Sequence, residues 1–88
     1  MNEFFASRGI QVGRLPDQVL TRARQTIEKL ERGQPYWKLH GKRLQRDRRT
    51  ISIPLGPRWR ILAEDVDGHL QVRAVISHQT YNNLLKLV

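Results

Sequence analysis

Two short runs in this 88-residue chain hold the side chains best suited to chemistry: Arg58-Trp59-Arg60, and Ser77-His78-Gln79-Thr80-Tyr81. A guanidinium fork fits two phosphate oxygens at once, so Arg60, with Arg58 or Arg73 beside it, could clamp a phosphate. His78 is of the side-chain type that exchanges a proton near neutrality, and Tyr81 offers a phenol or a ring on which a base can stack. Cleaving an RNA phosphodiester without a metal takes such parts: a base for the 2'-hydroxyl, a positive charge on the phosphate, and an acid for the departing 5'-oxygen. Each residue also has a plainer reading. His78 suits a turn or a helix cap, and Tyr81 suits the apolar side of a closing helix.

The run around Arg60 is strongly basic. Between positions 38 and 60 lie Lys38, Lys42, Arg43, Arg46, Arg48, Arg49, Arg58 and Arg60, half of the 16 cations of the chain, against the single acid Asp47. A field of one sign concentrates its counter-charge, so a nucleic acid or an acidic protein is the expected partner, with a merely solvated basic face as the bland alternative. The net charge of +8 exceeds what solubility requires.

Other chemistry finds little support. Glu64, Asp65 and Asp67 gather at a turn without matching histidine spacing, so they read as a solvated turn and not as a metal site. His40 reads as a loop residue and His69 as an exposed one. There is no Gly-rich phosphate loop and no arrangement that supports a Ser-His-Asp triad, so no cofactor is expected. Without cysteine there is neither a disulfide framework nor a thiolate zinc site. No apolar run approaches the ~20 residues of a membrane helix, and residues 1–13 lack the pattern of a signal peptide, so the expectation is a cytoplasmic protein with no membrane partner.

The length suits one domain over 1–88, able to bury roughly two thirds of its unfolded surface. With 39% hydrophobic and 27% charged residues, a globular chain is expected. Val19, Leu20, Ala23, Ile27 and Leu30 recur at helical spacing and predict a helix over 16–32, opened by Pro16 and Asp17 and stopped by Gly33. From Thr50 the period becomes two. Ile51, Ile53 and Leu55 alternate with polar residues, and Pro54 suits a strand end or an edge. Trp59, Ile61 and Ala63 alternate with Arg58, Arg60 and Leu62, which sends the arginines to the face opposite Trp59. Asp67-Gly68 predicts a hairpin turn, and the returning strand alternates Leu70, Val72, Ala74 and Ile76 with Gln71, Arg73 and Val75. An antiparallel meander results, with Ile51, Ile53, Trp59, Ile61, Leu70, Val72 and Ile76 on the helix side and Ser52, Arg58, Arg60, Gln71 and Arg73 on an open face. Ser77 caps a last helix holding Tyr81, Leu84, Leu85 and Leu87. Phe4, Phe5, Ile10 and Val12 suggest a short helix and an edge strand, and 37–44 a short strand or loop. Trp59 is expected in the core, and Trp37 to pack, with base stacking as its alternative.

Leu15-Pro16 opening a helix, Lys38-Leu39-His40-Gly41-Lys42, the strand Gly56-Pro57-Arg58-Trp59-Arg60-Ile61-Leu62, Asp67-Gly68 and Ile76-Ser77-His78-Gln79-Thr80-Tyr81 together resemble the RelE/ParE superfamily of bacterial toxins over about 15–85. The resemblance implies a small α+β fold with an antiparallel sheet, helices packed on one face and the other face as the working surface. It implies a toxin of a type II toxin–antitoxin module, with a cognate antitoxin as partner. RelE-like members cleave mRNA on the ribosome as metal-independent endoribonucleases, and ParE-like members inhibit DNA gyrase without being known as nucleases. A relative that only binds nucleic acid or a partner is the third alternative. Arg60 matches the strand arginine that binds the scissile phosphate in RelE-like members, and His78 and Tyr81 match positions near the end of the last strand where acid or base groups stand. Where those nucleases carry lysines on the preceding strand, this chain has Thr50 and Ser52. Lys42, Arg43, Arg48 and Arg49 are the candidates to supply that charge.

Overall fold

The longest helix forms where the apolar stripe predicts it. In α2 (Asp17–Glu31), Leu20, Ala23 and Ile27 are buried, with Val19 and Leu30 packed at the margins. Pro16, with ψ at 147°, stands just outside as the cap, and its carbonyl accepts the amides of Val19 and Leu20. At the other end Gly33 adopts φ +95°, and the amides of Gly33 and Gln34 close onto the carbonyls of Leu30 and Lys29. This pair of bonds around a left-handed residue satisfies the last carbonyls and ends the helix.

The computed structural model describes residues 2–87, with side chains from 3 to 83. Around α2 it places α1 (Asn2–Ala6), β1 (Gln11–Val12), a 3₁₀ turn (Tyr36–Leu39), β2 (Lys42–Arg43), β3 (Thr50–Pro54), β4 (Trp59–Val66), β5 (His69–Ser77) and α3 (His78–Leu87). The expected packing of Leu84, Leu85 and Leu87 lies outside the described side chains. The strands form one open sheet in the order β1-β5-β4-β3-β2. Neighbours from β2 to β5 are antiparallel, as the meander requires, while β1 runs parallel to β5 at the edge and makes the sheet mixed. The α+β expectation holds. Among the described residues no helix is long and apolar enough to cross a membrane.

Pro54 ends β3 beyond the reach of β2, which pairs only with Ser52 and Ile51, so no neighbour on that side needs its missing amide hydrogen. Asp67 (φ 53°) and Gly68 (φ 84°) both take left-handed conformations in a two-residue turn, whose twist matches that of the flanking strands.

The core lies between α1, α2 and one face of the sheet. The row Ile53, Ile61, Val75 and the pair Ile51, Ala63 meet Phe5, Ile10, Leu20, Ala23 and Ile27. Here the parity of β5 departs from the alternation read in the sequence. Ala63 pairs with Val72, but the next residue back, Leu62, pairs with Ala74, which leaves Arg73 as one extra residue in β5. A bulge of this kind reverses the facing of everything beyond it. Val75 therefore enters the core, and Ile76 stands opposite Arg60 on the other face. The expected core position of Ile76 is corrected, and so is that of Trp59, which packs half-buried at the core's edge. Trp37 does not pack inside but is 65% exposed, its ring set edge-on to Tyr36.

The segment after α2 is held by backbone closure and one ion-pair network. His40 takes φ 66°, and Gly41 donates to the Tyr36 carbonyl, repeating at the 3₁₀ turn the closure that ends α2. Gly41 is buried so closely that a Cβ there would lie 2.9 Å from Ile53 Cγ1 and from Tyr36 O. Arg43 then reaches along the core side of the sheet. It donates to Asp65 Oδ2 at 2.6 Å, to the Tyr36 hydroxyl at 3.1 Å and to the Arg48 carbonyl at 2.7 Å. Asp65, read as part of a solvated turn, is instead the anchor of this loop, and its Oδ1 accepts the Gly68 amide. The Arg43 guanidinium holds the Asp65 carboxyl below the usual carboxylate range, with the Gly68 amide acting in the same direction.

Three outcomes follow in urea and thermal melts. Gly41→Ala destabilises the fold by about 1–3 kcal/mol, because its methyl group has no room. Neighbouring His40→Gly stabilises by up to about 1 kcal/mol, since glycine relieves the left-handed strain at some cost in unfolded-chain entropy. Equal stability of Gly41→Ala and wild type would show that this approach relaxes freely. Because the pKa of Asp65 is lowered by folding, its contribution is full above the unfolded carboxylate pKa of about 3.9 and is lost as pH falls through the folded value. Asp65→Asn thus melts below wild type at pH 7, and the gap closes towards acid. A gap that does not change with pH would contradict the assigned role.

Candidate functional site

Strand alternation sets the first half of the site. Arg60 leaves β4 on the face away from the core, between Pro54 of β3 and Ile76 of β5. Diagonally across β3 is Ser52, 2% exposed, whose Oγ accepts from Arg60 Nη1 at 3.0 Å. The sequence placed Ser52, which stands where RelE-like nucleases carry a lysine, on the open face with Arg60, but did not pair the two. Its shared parity with Arg60 was the available signal, but the diagonal pairing depends on a register that no local pattern encodes.

The β5 to α3 junction sets the second half. Ser77 pairs with Trp59, and its Oγ accepts the Thr80 amide at 3.0 Å, the capping bond that starts α3. His78 donates its own amide to the Arg58 carbonyl at 2.7 Å, which ties the junction to the start of β4. Its ring turns to Arg60, where Nδ1 accepts from Nε at 3.3 Å. Tyr81 follows three residues later, so it shares the helix face of His78, with ring centroids 6.2 Å apart. The Arg60 guanidinium carbon sits 4.8 Å from the centre of the Tyr81 ring. Arg60 is half-buried among these groups, and Nη2 is left without a hydrogen bond among the described residues.

This geometry fixes what His78 can offer. With Nδ1 accepting from a guanidinium, the neutral ring carries its proton on Nε2 and presents a donor there. Acting as a base at Nε2 would require the other tautomer and loss of the Arg60 contact. The arrangement therefore leaves Arg60 Nη2 and His78 Nε2 as donors that these contacts do not use. The phenol of Tyr81 is the remaining group able to exchange a proton.

The other basic residues divide between the two sides of the sheet. Lys42 stands opposite Ser52 and so shares the face of Arg60, two strands away, whereas Arg43 stands opposite Ile51 and is engaged by Asp65 on the core side. Lys38 lies on the 3₁₀ turn, Arg46 and Arg48 in the exposed segment before β3, and Arg58 in the turn before β4. Asp47 organises that segment: it accepts the Thr50 hydroxyl at 2.8 Å and the Arg49 amide at 3.1 Å, which together hold its carboxyl below the usual range. Arg49 and Arg73 both turn to Glu64, at 3.1 and 3.6 Å. Asp65 was therefore misread as solvated, and Glu64, though partly exposed, belongs to β4 and not to the turn. Glu64 has the parity of Arg60 and meets cations of the open face, and Asp65 has the parity of Ile61 and meets Arg43.

The comparison with known families bears on the chain as a whole. The model of the ParE-like toxin domain matches residues 17–83, from the first turn of α2 into α3, and so spans Ser52, Arg60, His78 and Tyr81. No curated protein and no solved structure matches the chain. A match over most of the length, on the expected α+β frame, makes this chain a member of the ParE-like toxin domain family, the toxins of toxin–antitoxin systems.

Proposed function

We propose that this toxin arrests translation by cleaving mRNA on the ribosome, with Arg60 on the scissile phosphate. The observation that carries the reading is the convergence of Arg60, His78, Tyr81 and Ser52 from three separate elements. A guanidinium held from two sides and backed by an aromatic ring is pre-organised, and pre-organised donors stabilise developing charge without reorganisation. Arg60 Nη2 and His78 Nε2 bind the phosphate oxygens as negative charge builds. Tyr81 gives its phenol proton to the departing 5'-oxygen with the Arg60 to His78 contact intact, while the proton of the 2'-hydroxyl passes to water, from which the phenolate is reprotonated. The ribosome supplies the mRNA conformation, and Lys38, Lys42, Arg46, Arg48 and Arg58 supply attraction to its backbone. The toxin acts in the cytoplasm. An antitoxin with an acidic segment over 38–60 holds it inactive, a pairing that the family and the charge both favour.

A second reading has its own support. The matched family is described as ParE-like, and β3 offers Thr50 and Ser52 where RelE-like nucleases carry lysines. In that case the protein inhibits DNA gyrase by surface complementarity and His78 has no chemical task.

Inducible expression in a bacterium, with pulse labelling of protein and DNA synthesis, separates the two. The expected result is early loss of protein synthesis, with Arg60→Ala reducing ribosome-dependent cleavage about 10²–10³-fold while melting like wild type. Tyr81→Phe, which keeps the ring over Arg60, lowers cleavage without weakening binding. Early loss of DNA synthesis, with purified gyrase poisoned and His78→Ala still toxic, would replace the nuclease with the gyrase inhibitor.

A further inference from the structure

Arg60 is not the only cationic position on the open face. Glu64 lies four residues further along β4 with the same parity, about 13 Å away at the rise of a strand. Its carboxylate stands between two guanidiniums, with Oε1 3.1 Å from Arg49 Nη2 and Oε2 3.6 Å from Arg73 Nε. The two arginines come from opposite sides: Arg49 precedes β3, and Arg73 is the bulge residue of β5. Two cations share one anion, so the cluster keeps a charge of +1.

We infer that Arg49 and Arg73 form a second phosphate-binding position for a nucleic-acid strand crossing the open face, and that Glu64 is its built-in counter-ion, displaced when the strand binds. The inference rests on the proposal that Arg60 takes a backbone phosphate. Both arginine side chains are largely open to solvent, at 68% and 52%, and Glu64 is itself 34% exposed. Ion pairs so exposed contribute little and exchange readily. A phosphate entering the same place offers each guanidinium a forked partner, and it adds the attraction of the residual charge. The distance from Arg60 is one that a few nucleotides of extended backbone can cover. Glu64 then acts as a filter: a strand that reaches only this end must displace a carboxylate for one phosphate, while a strand also held at Arg60 retains its place. Its presence lowers the affinity for arbitrary polyanions, which a chain with net charge +8 would otherwise bind indiscriminately.

The test uses the purified full chain and a fluorescein-labelled single-stranded RNA 12-mer, without ribosomes, followed by anisotropy across a salt series. Glu64→Gln is expected to bind several-fold more tightly at low salt, because no carboxylate has to be displaced, with a log–log salt slope close to that of wild type. Loss of Arg49 and Arg73 instead makes the slope shallower by about 0.7, the increment for one phosphate on a single strand. The double variant Arg49→Ala, Arg73→Ala binds more weakly than wild type, and adding Glu64→Gln to it restores nothing. An unchanged or weakened Glu64→Gln, or a gain that survives loss of both arginines, overturns the inference, as does absence of RNA binding by every form. Thermal melts of the same variants show that each is folded. The proposed cleavage is read separately through Arg60→Ala: its toxicity can fail by way of gyrase while the Glu64 effect on RNA stands, and the reverse outcome is equally distinguishable.

Discussion

The bulge at Arg73 shifts β5 by one residue against β4, and the arrangement of the open face depends on that shift. With regular pairing, Val75 would be directed away from the core and Ile76 into it, and the junction to α3 would meet β4 out of step with Arg60. With the bulge, Val75 completes the row with Ile53 and Ile61, and Ser77 comes to rest opposite Trp59. His78 then lies where its amide reaches Arg58 and its ring reaches Arg60. The same residue that shifts the strand has its own side chain turned to Glu64. One insertion in the ladder thus sets both ends of the face: it brings α3 to Arg60 and a second guanidinium to the far end.

Charge is arranged by the same alternation. Arg43 and Lys42 are neighbours in sequence, yet they leave β2 on opposite sides of the sheet. Glu64 and Asp65 do so on β4. Asp65 therefore engages Arg43 near the core, where a short, partly shielded ion pair anchors a loop. Glu64 stays among exposed cations, where its contacts are weak and exchangeable. Adjacent acids of one strand thus have different physical roles, one structural and one modulating the field.

Features encoded locally were legible in the sequence. The α2 stripe, Gly33 as its stop, the Asp67-Gly68 turn, the end of β3 at Pro54 and the outward parity of Arg60 each follow from a few neighbouring residues and the rules of backbone geometry. The bulge was not legible, because Val72, Ala74, Val75 and Ile76 supply apolar residues in both phases and alternation cannot choose between them. Nor was the partner of Arg60 on β3, or the pairs joining Arg43 to Asp65 and Arg49 to Glu64, since these depend on register across separate strands. The left-handed His40 escaped for a different reason: the position ordinarily taken by glycine in such a closure holds histidine, and Gly41 beside it is needed for space and not for its φ.

Arg60 is held at Nη1 by β3 and at Nε and over its plane by α3. Only the first of these contacts belongs to the sheet, whose core is buried and whose register is fixed by many ladder bonds. The other two rest on a junction held by the Ser77 cap and the His78 amide. If α3 swings away, Arg60 keeps its place on β4 and its bond to Ser52 but loses the groups that orient it. The positive charge of the face is thus a property of the sheet, and the chemistry proposed for it is a property of the sheet and α3 together. A partner that moves α3 could switch off the chemistry without touching Arg60 and without weakening the electrostatic attraction of the face.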